Sequence, residues 1–108
     1  SREEEVYKDF YINMTTPISK EQAEELMHDI VQWQVGDEGK VIAKTFDCKD
    51  FQNAVVLVNQ VAKLSEEQNH HPDIFIHSYN NVTISLTTHA AGGLTEEDFI
   101  LAAKIDEL

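Results

Sequence analysis

Val82, Ile84 and Leu86 alternate with Thr83, Ser85 and Thr87, so one face of this stretch is apolar and the other polar. A period of two marks a half-buried β-strand, and this is the cleanest such run in the chain. Ile74, Phe75 and Ile76 make Asp73 to Ser78 a second strand. Tyr79-Asn80-Asn81 reads as the turn between them, because asparagine tolerates positive φ. An earlier hairpin is predicted from Trp33–Val35 and Lys40–Cys48, around Gly36-Asp37-Glu38-Gly39. Ile42, Phe46 and Cys48 share one face of its second strand.

Three segments carry the helical period instead. Ser19 is an N-cap with Gln22 as capping-box partner, and Ala23, Leu26, Met27 and Ile30 recur at helical spacing. The spacing predicts a helix over Lys20–Val31. Asp50 opens the longest helix, Phe51 to Gln68, with Ala54, Val55, Val58, Val61 and Ala62 at steps of three and four. Leu57 and Leu64 widen that stripe beyond what one face of a small sheet can cover. Its extra edge is either buried in the core or meets another subunit. Thr95 caps a last helix, with Asp98 at the capping-box position and Phe99, Leu101, Ala102, Ile105 and Leu108 on its apolar side.

The order helix, hairpin, helix, hairpin, helix predicts an α+β fold: a four-stranded antiparallel sheet with three helices packed on one face. Residues 1–18 stand apart as an N-terminal extension, and 19–108 form the domain. Phe10, Ile12 and Met14 alternate there, as a short strand or a packed arm would.

Composition narrows the possibilities. The chain's 108 residues suffice for one domain. Its net charge of -12, from 20 acidic and 8 basic residues, disfavours direct nucleic-acid binding. Glu3-Glu4-Glu5, Glu96-Glu97 and Asp106-Glu107 read as solvated faces. Cys48 is the only cysteine, which excludes an intrachain disulfide and fits a reducing compartment. A small buried apolar side chain is its expected role. No apolar run reaches the length of a membrane span.

The chemistry concentrates in Glu66-Glu67-Gln68-Asn69-His70-His71-Pro72-Asp73. Pro72 steers His71 towards an extended backbone, on which neighbouring side chains point to opposite sides. His70 and His71 should therefore do different jobs. His89 ends the next strand, and on its pleat follows the polar set. Imidazoles exchange protons near neutral pH, their ordinary pKa being about 6.5. Glu66, four residues before His70, is placed to orient an imidazole or hold a ligand amine, and Asp73 and Asp98 are further candidates. The small-residue loop Ala90-Ala91-Gly92-Gly93 lets a flat ligand or another backbone approach. No serine or cysteine has a nucleophile's context, and no phosphate-binding glycine loop is present. Two other readings remain for the histidine pair: a polar loop beside a proline, or a metal site drawn from His70, His71, His77, His89 and Asp73. Against the metal, adjacent histidines diverge, and neither HxH nor HExxH spacing occurs. His28 and His77 read as surface residues.

The spacing Glu66, His70-His71-Pro72, Tyr79, His89, Asp98 resembles that of the pterin-4a-carbinolamine dehydratases. Trp33, Lys49-Asp50-Phe51 and Leu94-Thr95 extend the resemblance, which covers about residue 19 onward. It implies an α+β fold and dehydration of 4a-hydroxytetrahydropterin to quinonoid dihydropterin, a step in recycling the tetrahydrobiopterin of aromatic amino-acid hydroxylases. It implies that His70, His71 and His89 form the active site, His70 and His89 moving protons and His71 mainly binding the pterin. Glu66, Asp73 and Asp98 would shape or support the pocket. It implies no metal or organic cofactor, a homodimer or homotetramer, and in some relatives a transcription-factor partner. The expected location is cytoplasmic, with the nucleus as an additional option. The competing reading is a non-catalytic interaction module that binds a partner helix. Asn69 replaces an acidic residue of some members, and Glu97 stands where some have arginine.

Overall fold

A computed structural model describes residues 15–108, so the expected strand or arm at Phe10, Ile12 and Met14 lies outside the described residues. Helix α1 spans Lys20–Leu26. Ser19 Oγ accepts from the Gln22 backbone N–H at 3.1 Å, and Gln22 Oε1 accepts from the Ser19 N–H at 3.2 Å. The expected helix runs on to Val31. Instead the chain tightens into a 3₁₀ turn at Met27–Asp29, and Ile30 adopts an extended conformation. Tertiary burial overrides local propensity here. Leaving the helix lets Ile30 and Trp33 both enter the core, with Gln32 at a φ of 62° between them.

Strands β1 (Gln34–Gly36) and β2 (Val41–Asp47) pair antiparallel around a 3₁₀ turn at Asp37–Gly39. Asp37, Glu38 and Gly39 all have positive φ, a conformation that only glycine adopts without cost. Helix α2 spans Phe51–Gln68, and Asp50 Oδ1 accepts from the Asn53 N–H at 2.7 Å. Strands β3 (Asp73–His77) and β4 (Asn81–Leu86) follow, then a 3₁₀ turn at His89–Ala91 and helix α3, Glu96–Asp106. Between β3 and β4 the positive φ falls on Ser78 and Tyr79, not on the asparagines. Asn80 instead ties the turn to the neighbouring loop, its carbonyl accepting from the Cys48 N–H at 2.8 Å.

The sheet order is β1-β2-β4-β3, all antiparallel, as the α+β reading expects. Strand β4 lies inside the sheet, which explains its clean alternation. Val82, Ile84 and Leu86 are fully buried on the helical side, while Thr83 and Ser85 lie on the other. They meet Ile42 from β2, Ala54 and Val61 from α2, and Leu101, Ala102 and Ile105 from α3 in one core. Each fully buried valine, leucine or isoleucine side chain contributes about 1.5–3 kcal/mol.

Two further expectations change. Asp106 does not belong to a solvated face. Its carboxylate accepts from the Val31 N–H at 3.0 Å, from Trp33 Nε1 at 3.0 Å and from Lys44 Nζ at 2.7 Å, clasping the α1–β1 link to the end of α3. Cys48 is half-buried, not fully buried, and burial with Asp47 and Asp50 nearby pushes its thiol pKa up. Leu57 and Leu64 pack partly buried against the core, and the exposed large apolar residues of α2 are Phe51, Val55 and Val56.

Candidate active site

Helix α2 ends by a local device. Asn69 takes the left-handed conformation at φ 54°, and its N–H returns to the carbonyls of Ser65 and Glu66. The His70 N–H also reaches the Ser65 carbonyl, at 3.0 Å. A left-handed asparagine after the last helical residue is a common helix stop. Here it turns the backbone so that His70 faces α3.

His70 Nε2 lies 2.6 Å from Asp98 Oδ1. The Asp98 side chain is fully buried and that of His70 only 13% exposed, so water does little to screen this contact. The other carboxylate oxygen, Oδ2, accepts from the Thr88 hydroxyl at 2.8 Å and from the Thr95 N–H at 3.0 Å. The capping box predicted for α3 is therefore present, and its carboxylate spends its second oxygen on a histidine from another loop. The His70 pKa rises above its ordinary value, first because of the hydrogen bond to Asp98. Burial opposes the rise, and the charges of Asp98 and Glu97 add to it.

His71 points elsewhere. Its Nε2 lies 2.5 Å from Glu66 Oε2, with both side chains mostly in solvent. The divergence expected of His70 and His71 is thus present. His89 opens the 3₁₀ turn after β4 and is exposed, directly after the buried Thr88. The turn carrying it is closed by the Thr88 N–H to the Gly93 carbonyl at 3.0 Å. Asp98 thereby joins the His70 loop, through Oδ1, to the loop bearing His89, through Thr88. Asp73 begins β3, exposed, and the pleat sets it with Phe75 and His77 on the side opposite Ile74 and Ile76. No bond ties it to Asp98. His77 is half-buried, with Nε2 2.8 Å from Thr83 Oγ1 and its ring stacked on Phe75.

Sequence reasoning missed Thr88, which is 9% exposed and holds Asp98. Nothing local announces it, since its partner lies ten residues on. It also missed Gln68, whose Nε2 donates to the Glu97 carbonyl at 2.8 Å and to its carboxylate at 2.9 Å, so Glu97 is not a freely solvated charge either. At the small-residue loop a Cβ on Gly93 would meet the Pro17 ring at 3.5 Å, an ordinary van der Waals contact with a side chain. One groove runs along Pro17, Ile18, Met27, Val35 and Leu94, and a second depression along Gln32, Gln34 and Lys44. Neither is lined by His70, His71 or His89. Among the described residues no three histidine, cysteine or acidic side chains are grouped to hold a metal ion, and no helix is long and apolar enough to cross a membrane.

Chemically, a buried carboxylate hydrogen-bonded to one imidazole can orient that ring for proton exchange. The family model described as pterin 4 alpha carbinolamine dehydratase matches residues 16–108. A Roseiflexus protein provisionally named a pterin-4-alpha-carbinolamine dehydratase is 46% identical over 95 residues, covering 88% of this chain and 99% of the relative. A Nitrosomonas eutropha protein of the same provisional name is 44% identical over 93 residues, covering 85% and 80%. Among solved structures, a transcriptional coactivator/pterin dehydratase from Brucella melitensis superposes with a TM-score of 0.79 at 32% identity, covering 85% of this chain and 97% of that one. A pterin dehydratase-like protein identified as a RuBisCO assembly factor in the alpha-carboxysome superposes with a TM-score of 0.61 at 25% identity, covering 74% and 92%. The chain belongs to the pterin-4a-carbinolamine dehydratase family.

Proposed function

We propose that the chain dehydrates a 4a-hydroxytetrahydropterin to the quinonoid dihydropterin, with histidines as acid and base, as a step in tetrahydrobiopterin recycling. Family membership supports the dehydration. The observation that carries the histidine assignment is the 2.6 Å contact between His70 Nε2 and buried Asp98. With Nε2 committed to Asp98, Nδ1 is the ring nitrogen left for substrate. The raised pKa of His70 favours the protonated ring nearer neutral pH, so Nδ1–H suits a general acid. It protonates the 4a-hydroxyl, and the C4a–O bond breaks to release water. The N5 lone pair forms the C4a=N5 double bond, and His89 collects the N5 proton. One proton is supplied and one removed, so the reaction needs no redox partner and no cofactor.

His71, exposed and hydrogen-bonded to Glu66, binds the pterin in this reading, with Asp98 supporting His70. Asp73 keeps only a supporting place two residues beyond His71. Domain limits of 19–108, with 1–18 as an extension, and a cytoplasmic setting belong to the same proposal. The test is the dehydration rate of freshly generated 4a-hydroxytetrahydropterin with His70→Ala and His89→Ala proteins. Each should lose about 10²-fold or more, with the circular dichroism of the fold retained. Full activity in both variants would end the assignment.

An interaction role is favoured by a separate observation. Phe51, Val55, Val58 and Ala62 recur at helical spacing, and Phe51 and Val55 are 56% and 37% exposed. This strip suits a second copy of the chain in a homodimer or homotetramer, or a partner's helix. Phe51→Glu with Val55→Glu should lower the mass measured by light scattering. An unchanged mass would show that this strip holds no copies together.

A further inference from the structure

Resting on that dehydratase reading, we propose that Thr88 is a positioning residue. Its hydroxyl fixes the Asp98 carboxylate against His70, and its backbone sets the turn that carries His89. The direction of the hydrogen bonds makes the case. An ionised carboxylate can only accept, so the Thr88 hydroxyl proton goes to Asp98 Oδ2, 2.8 Å away. The Thr88 oxygen, 2.8 Å from Thr95 Oγ1, must then receive the Thr95 hydroxyl proton. The result is an ordered chain, Thr95 to Thr88 to Asp98, whose free end Oδ1 meets His70.

With the Thr95 N–H also on Oδ2, the carboxylate cannot turn without breaking two bonds. The Thr88 backbone is equally committed. Its N–H donates to the Gly93 carbonyl at 3.0 Å, and its carbonyl accepts from Ala91 at 3.0 Å. One residue therefore sets the acid's partner and the position of the base.

Removing the hydroxyl while keeping the shape isolates this role. A carboxylate that loses one donor has more charge left for the others, so His70 should hold its proton more firmly. The charged groups facing His70 are Asp98 and Glu97 from α3. His71 on its own loop is turned away to Glu66, and His89 is exposed on the loop that Thr88 begins.

The experiment is an NMR titration of the histidine ring protons in unmodified, Thr88→Val and Thr88→Ser proteins without substrate, beside kcat and KM against pH. In the valine variant the His70 midpoint should rise by roughly half a pH unit or more, with exposed His28 unmoved as an internal reference. The alkaline limb of the kcat profile, where the general acid loses its proton, should move the same way, and kcat should fall about tenfold with KM little changed. The serine variant should restore both. A His70 midpoint in Thr88→Val that is unchanged or lowered overturns the proposal. If the valine variant does not fold, the unmodified chain decides: the Thr88 hydroxyl proton should exchange slowly and shift along the His70 titration, and a signal blind to that titration overturns the proposal equally. The titration needs no turnover, so absence of dehydration in the unmodified chain would sink the enzyme reading without touching this result.

Discussion

Replacing Asp98 by asparagine removes a charge and almost nothing else. The side chain keeps its volume inside a fully buried position. Its amide oxygen can still accept from the Thr95 N–H and the Thr88 hydroxyl, so the start of α3 keeps its cap. What changes is the group facing His70. An NH₂ now points at Nε2, and it is tolerated only if that nitrogen carries a lone pair. Protonating the ring would set two donors against each other. A hydrogen bond to a charged partner contributes about 1.5–3 kcal/mol, against about 1 kcal/mol for a neutral one. The variant should therefore be about 1–3 kcal/mol less stable where His70 is protonated in the parent. The sign with pH follows from the raised pKa. A histidine whose pKa rises on folding contributes stability that is fully present below its unfolded value of about 6.5 and is lost as pH rises through the folded value. Urea unfolding at a series of pH values between about 5.5 and 8.5, on both sides of that window, should show the two proteins converging as pH increases. The dehydration rate should drop by about 10²-fold throughout. Stability curves that run parallel across this range would show that the pair is not ionic, and the acid assigned to His70 would go with it.

Two further outcomes separate the site from its scaffold. Asp106→Ala strands the Trp33 indole N–H, the Val31 N–H and Lys44, and should cost about 2–4 kcal/mol with a red-shifted Trp33 emission. Asp106 lies eight residues beyond Asp98, about 12 Å along α3, so the rate per folded molecule should hold; a rate falling in the folded fraction contradicts this separation. His71→Ala removes an exposed pair with Glu66 and should cost under about 1 kcal/mol of stability. Steady-state kinetics should show KM rising more than kcat falls, and a loss confined to kcat would move His71 into proton transfer.

The fold was legible wherever an element's environment is uniform along its length or its cap is local. Strand β4 is central, so its alternation is unbroken, and Ser19 and Asp50 cap helices through contacts only three residues long. Legibility failed where distant groups decide. The helix expected to reach Val31 stops early because Asp106, seventy-five residues away, takes the Val31 N–H, and because Ile30 and Trp33 gain more from the core than from another helical turn. The same contact turns an acidic residue that reads as solvent-facing into a half-buried clasp. The positive φ at Ser78 and Tyr79 was missed for the opposite reason: the hairpin register fixes which residues must turn, and Asn80 and Asn81 fall just past them.

At the candidate site the legible part and the hidden part meet in one carboxylate. Threonine followed three residues later by an acid announces a helix start, and that local rule accounts for Asp98 by itself. It accounts for only one of its oxygens. A helix start packed against a sheet buries the whole carboxylate, and a buried charge is costly unless every acceptor finds a donor. His70 and Thr88 supply those donors from two other loops. Stability and the proposed proton transfer therefore draw on the same bonds. The burial that makes Asp98 require a partner is what holds one ring nitrogen of His70 on a carboxylate, and sequence spacing carries no trace of that requirement until the loops are folded together.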